Sequence, residues 1–143
     1  MLKPLALTLA LALASCSAPG PKISAHDAWA RATGTADRAA AYVVIDNKGG
    51  ADQLTGARTS IGEAMIHESS MDGGVMRMRP IAAGEGLSVP SNGRLTLAPG
   101  GTHVMIMGLK KPLQAGDHFD LILLFAKARP QHVQVAVKPA GAM

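Results

Sequence analysis

The sequence predicts an all-β, single-domain protein of the β-sandwich or Greek-key barrel type, and three observations carry that reading. Short runs of alternating apolar residues recur from Ile23 onward, several of them rich in β-branched side chains. Clusters of Gly, Pro, Asn and Asp separate the runs at the spacing of a strand-rich domain, which suggests roughly seven to nine strands. Outside the first fifteen residues no segment holds a long 3.6-residue period. A chain of 143 residues has room for one hydrophobic core, and neither an internal repeat nor a second domain is visible.

The N-terminus stands apart from that domain. Met1-Leu2-Lys3 is short and basic, residues 5–14 (LALTLALALA) are apolar, and Ser15-Cys16 closes the run. The apolar run is about half the length that spans a bilayer, so residues 1–15 read as a secretory signal. Leu13-Ala14-Ser15-Cys16 resembles the lipobox of bacterial lipoproteins, where cleavage falls before the Cys and its sulfur receives a diacylglyceryl group. Lipidation of Cys16, and with it attachment to a membrane, is the expectation; cleavage nearby by the ordinary signal peptidase is the alternative. Residues 16–22 (CSAPGPK) read as a tether and residues 23–143 as the domain.

Along the domain, residues 40–45 (AAYVVI) are strongly strand-forming and end at the turn signal Asp46-Asn47-Lys48-Gly49-Gly50. Further strands are expected at 53–58, 64–68, 75–79, 94–97, 103–107, 119–125 and 133–137. Between them stand Asp72-Gly73-Gly74, Pro90-Ser91-Asn92-Gly93, Pro99-Gly100-Gly101, Lys111-Pro112 and Gly116-Asp117.

Composition removes several functions. Without Lys3, the 14 Lys and Arg become 13 against 10 Asp and Glu, and no basic block is present. Trp29, Tyr42, Phe119 and Phe125 are the only aromatic rings apart from histidine. Nucleic-acid binding wants a basic stripe with stacking rings, so it is set aside. Cys16 is the only cysteine, which leaves the domain without a disulfide framework, a thiolate nucleophile or a thiolate metal site.

Methionine is the unusual feature. Of eight, Met1 and Met143 are terminal, and the other six fall between Met65 and Met107, with His67 and His103 among them. On a strand, residues i and i+2 share a face roughly 6.6–7 Å apart. His103 and Met105 therefore share one, as do Met76 and Met78, and Met65 and His67. Imidazole beside thioether is odd in a core, because the ring needs a hydrogen-bond partner that the sulfur scarcely supplies. As ligands the pair makes sense: thioether and imidazole together favour Cu(I) over harder ions. In an oxidising space Met and His also keep their ligand form where paired thiolates would oxidise. A blue-copper carrier would need a Cys thiolate. A zinc enzyme is disfavoured by the absence of HExxH or a closely spaced His pair.

Residues 66–81 (IHESSMDGGVMRMRPI) and 97–117 (LAPGGTHVMIMGLKKPLQAGD) closely resemble the periplasmic copper chaperones called PCu(A)C. Their signature is His, ten residues, Met, then roughly two dozen residues and His-x-Met. Ten residues separate His67 from Met78, and 24 more lead to His103, with Met105 completing His-x-Met. Residues 27–31 (DAWAR) and 39–52 (AAAYVVIDNKGGAD) also look like that family. The resemblance implies a cupredoxin-like Greek-key fold and a Cu(I) site of His67, Met78, His103 and Met105 near the surface. It implies delivery of copper to an acceptor, a cytochrome oxidase subunit or another copper chaperone, in the periplasm. Three departures matter. The second gap, 24 residues, is slightly longer than the family's commonest one, consistent with extra loop residues around Gly84–Asn92. Many members carry Met after the first His, where this chain has Glu68. The chain ends at VAVKPAGAM, without the Met/His-rich tail of some members, so no tail-based second site is expected.

Met76 and Met107 read as packing beside the site and Met71 as a guard in the turn after His67; all three are auxiliary candidates for the metal. His26, His118 and His132 read as surface or hydrogen-bonded histidines, and Trp29 as core. No catalytic constellation is evident, so a monomeric binding and transfer protein is expected, not an enzyme. Three rivals stay open: a lipoprotein that sequesters copper or confers resistance without delivering it, a copper redox protein, and a metal-free β-domain.

Overall fold

The computed structural model describes residues 17–82 and 84–143; the expected signal at 1–15 and Cys16 lie outside the described residues. Ten strands form: β1 (Ile23–Arg31), β2 (Arg38–Asn47), β3 (Asp52–Arg58), β4 (Glu63–Asp72), β5 (Val75–Pro80), β6 (Leu87–Val89), β7 (Gly93–Leu97), β8 (His103–Met107), β9 (His118–Phe125) and β10 (Gln131–Lys138). No helix occurs among the described residues. The expectation of seven to nine strands is therefore short, and the runs named from sequence omit β1 and β6. β6 has only three residues, too few to show alternation. β1 carries a bulge between His26 and Trp29, with Asp27 at φ 52°, and the bulge breaks its period.

The strands make one curled sheet in the order β5-β4-β8-β2-β1-β10-β9-β3-β6. β2 is long enough for two partners on one side. Its first half, Arg38 to Ala41, pairs with β8, and its second, Val43 to Asn47, pairs with β7. β1 runs antiparallel to β2 and parallel to β10, so the first and last strands are neighbours. The curl brings β3 against β4 and β6 against β7, enclosing the core. This is the all-β Greek-key sandwich that the alternation predicts.

Inward-facing residues alternate as the pleat requires: Val43 and Ile45 on β2, Val104 and Ile106 on β8, Leu121 and Leu123 on β9 are all essentially inaccessible. Trp29 departs from expectation. Because of the bulge, Ala28 and Ala30 point inward, and Trp29 lies half-buried on the outer face against Tyr42, ring centroids 4.7 Å apart. The Lys138 ammonium sits 4.7 Å from the indole centroid.

Asn47, buried at the end of β2, holds the following turn. Its Oδ1 accepts from the amides of Lys22 and Gly49, and its Nδ2 donates to the carbonyls of Gly50 and Pro90. The amides of Lys48 and Gly50 also donate to the carbonyls of Lys22 and Gly20. A Cβ on Gly49 would fall 2.2 Å from the Gly20 carbonyl oxygen, so only glycine lets the segments approach this closely. Part of the expected tether, 20–22, is thus laced to the domain.

Candidate metal centre

The site is built on the edge of the sheet where β8, β4 and β5 lie side by side. On β4, Ile66 is buried in the core, so the odd-numbered residues around it face outward. On β8, Val104 and Ile106 are buried in the core, and His103, Met105 and Met107 share the opposite face. In the antiparallel register His67 lies directly opposite His103, and Met65 directly opposite Met105. The two imidazoles have centroids 5.5 Å apart and planes at 57°, close enough for one ion to lie between them.

The β4–β5 hairpin brings the fourth residue. Pro80 is opposite His67 and Met78 is opposite Ser69, so Met78 occupies the diagonal position to His67 on the same face. Diagonal neighbours across a pair stand roughly 7–8 Å apart, within reach of a long side chain. The spacing of ten residues works because Gly73 and Gly74, at φ 58° and 83°, close the hairpin in two residues. His67, Met78, His103 and Met105 thus share one face over three adjacent strands.

The two histidines are prepared differently. His103 is buried, 6% exposed, and its Nδ1 lies 2.9 Å from the Gly101 carbonyl oxygen. A carbonyl only accepts, so Nδ1 carries the proton and Nε2 keeps a free lone pair in the neutral ring. Such an anchored nitrogen is the usual support of a metal-binding imidazole. For His67, partial burial first, and then the charge of a protonated His103, hold the ring below the ordinary histidine value of 6.5. Both effects favour the neutral form that can bind a metal.

The auxiliary candidates are placed unexpectedly. Met71 is on β4 itself, not in a turn, and is 67% exposed. Met76 and Met107 do not pack into the core; they are 52% and 40% exposed on the same outward face. Met65, which the sequence reading paired with His67 but did not propose as a ligand, sits opposite Met105; its i−2 spacing from His67 was the available signal. Glu68 points to the other face and accepts from Arg79 at 2.8 Å. A Met at position 68 would stand on the wrong side of the strand for this set, so its absence removes nothing from the face. Among the described residues no group of three or more His, Cys, Asp or Glu side chains is arranged to hold a metal ion; the neighbours of the two imidazoles on this face include the thioethers of Met65, Met78 and Met105. His26 is held between Asp27, at 2.9 Å, and Asp46, at 2.7 Å, as a hydrogen-bonded surface histidine.

Beyond Ser69 the hairpin leaves the body as an arm, and every residue of β5 is exposed. It is held by backbone pairing and by ion pairs: Arg79 to Glu68 and Glu85, Arg77 to Asp72. Exposed pairs of this kind contribute about 0–1 kcal/mol each.

An all-β domain of this topology, with a His/Met face at the β8–β4–β5 edge, has the fold of PCuAC domains. The apo PCuAC domain from PmoF1 superposes with a TM-score of 0.68 at 27% identity, covering 84% of this chain and 96% of that one. Cu(I)-bound DR1885 from Deinococcus radiodurans gives 0.59 at 31% identity, covering 87% and 83%. The copper-bound PCuAC domain from PmoF2 gives 0.66 at 24% identity, covering 84% and 95%, which speaks to fold alone. Residues 23–137 match the family described as "Putative lipoprotein LpqE-like", and the chain belongs to that family. A relative from Leifsonia xyli subsp. xyli (strain CTCB07), "Putative lipoprotein Lxx21020", is 34% identical over 129 residues, 87% of this chain and 76% of its own length.

Proposed function

We propose that this chain is an extracytoplasmic copper chaperone that binds one Cu(I) through His67, Met78, His103 and Met105 and hands it to a copper acceptor. The observation that carries the reading is the opposed pair His67 and His103, rings 5.5 Å apart, with Met105 and Met78 on the same face. Two imidazoles and two thioethers suit a soft d¹⁰ ion. Solved structures of the same fold include DR1885 in its Cu(I) form.

Delivery is favoured over storage by the site's position. One ligand lies on an exposed arm and three on the body, so displacing the arm opens the coordination sphere to an acceptor. The acceptor we propose is a copper enzyme under assembly, such as cytochrome c oxidase. The lipobox at Cys16 and the lipoprotein names of the family and its relative support attachment to the outer surface of a membrane. The test is titration of the purified chain with Cu(I) against a competing chelator, with Zn(II) in parallel. One tightly bound Cu(I) and weak Zn(II) are expected; Zn(II) as tight as Cu(I) would refute the site.

A further inference from the structure

Among the described residues, four of the six large apolar side chains that are exposed lie on the arm: Met71, Val75, Met76 and Met78, at 67%, 58%, 52% and 45%. Met71 and Met76 are direct partners, one pair in from the closing Asp72–Val75 pair. Strand parity puts both on the face that carries His67 and Met78. Direct partners on one face of an antiparallel pair have Cβ atoms roughly 4.5–5.5 Å apart. Two flexible thioethers at that separation can close on a single soft ion. Burial does not explain them, since this part of the hairpin has no core behind it.

We infer that Met71 and Met76 form a second, weaker Cu(I) site at the arm's tip, from which the ion passes through Met78 to the pair His67 and His103. The inference rests on the primary site proposed above. Met76 and Met78 are two residues apart on one strand, roughly 6.6–7 Å, on the same face. Ser69, opposite Met78, is small and leaves that thioether free to swing toward either end. Met78 can therefore join an ion held by Met71 and Met76 as a third sulfur before either tip bond breaks. One Cu–S bond forms as another is released; the ion remains Cu(I), and no electron or proton moves. Two thioethers hold copper less tightly than two imidazoles with two thioethers, so loading runs from the tip inward.

The experiment is an anaerobic Cu(I) titration of the full chain in detergent micelles, with methionine methyl groups carrying ¹³C. The first equivalent should shift the Met78 and Met105 methyls, and the second should shift Met71 and Met76 together. The double variant Met71→Leu/Met76→Leu should lose the second equivalent and keep the first within about threefold, since His67, Met78, His103 and Met105 all stay in place. If the second equivalent leaves the Met71 and Met76 methyls unmoved, or the double variant still takes two, the tip is no copper site and the inference falls. If instead Met78 and Met105 ignore the first equivalent, the primary site is wrong, a separate failure.

Discussion

Leucine in place of Met78 or Met105 keeps most of the volume and removes the sulfur, which separates ligation from packing one side chain at a time. Folding should survive at a cost below about 1.5 kcal/mol, and less at Met78, which is 45% exposed. Cu(I) affinity should fall by more than the roughly 10- to 100-fold typical of a residue that only supports a ligand. Met107→Leu should stay within that lesser range, and four equal losses across Met78, Met105, Met76 and Met107 would show that the ligand set is drawn wrongly. Acid is the second probe. The His67 imidazole is held below the ordinary value of 6.5 by burial, so protons cease to compete for it before neutral pH. Affinity should be nearly flat above about pH 8 and fall on acidification with at most about two protons taken up per copper released. Competition titrations from pH 5 to 9 measure this, and a steep rise continuing above pH 8 would point to some other donor.

In the proposed site, the arm formed by β4 and β5 carries Met78 apart from the body, so the coordination sphere could open there. The arm's outer part buries no apolar face, so its amides should exchange with solvent far faster than those of β2 or β8. At the proposed site copper would join Met78 on the arm to His103 and Met105 on the body and should act as a staple. At a free Cu(I) concentration 100 times Kd, exchange in β5 should slow by about 100-fold, since a ligand stabilises the state it binds by RT ln(1 + [L]/Kd). Hydrogen exchange with and without Cu(I) reads this directly, and unchanged β5 protection would remove Met78 from the site. The turn sets the register. Gly73 and Gly74 both have positive φ, and a Cβ on either would meet nothing within 4 Å. Alanine at either position should therefore cost only the left-handed backbone strain, about 1–2 kcal/mol, confined to the hairpin.

Across the whole molecule, strand directions join the site to the chain's entry point. β4 runs parallel to β2, because both are antiparallel to β8. Going from His67 to Met71 therefore leads toward the end of β2 where Asn47 pairs with Ile23. With lipid on Cys16 and Gly20 to Lys22 laced to the β2–β3 turn, the arm's tip would lie on the membrane side of the domain. Mass spectrometry of the processed N-terminus should find a multiply acylated Cys16, because one acyl chain gives only marginal attachment; an unmodified terminus beyond Cys16 would remove the anchor. The same end carries a pH-dependent link. Hydrogen bonds to Asp46 first and Asp27 second raise the His26 pKa above 6.5. Arg94 first, then His26, hold Asp46 at about 2. The histidine's contribution is thus complete below pH 6.5 and fades as pH rises through its raised value. That of Asp46 is complete above 3.8 and fades as pH falls toward 2. The Tm difference between wild type and His26→Gln should shrink as pH rises from 6 upward; taking the difference cancels His67, whose lowered pKa acts in the opposite sense.

What the sequence determined by itself was local. The alternation in residues 40–45 and 119–125 specified strands, because a two-residue period leaves one face to bury and one to wet. The six methionines and two histidines between positions 65 and 107 specified soft-donor chemistry, and the odd spacing from His67 to Met78 specified a common face once a two-residue turn joined β4 to β5. Tertiary structure decided what depends on partners distant along the chain. His67 meets His103 only because β4 lies beside β8, a pairing that 35 intervening residues leave open. Trp29 faces outward because a bulge at Asp27 inverted the parity of β1, and composition carries no trace of that. Met65 opposite Met105, and Met71 and Met76 exposed on an arm instead of packed, follow from register and from where the core ends. Those are properties of the closed sheet, and no window of the chain contains them.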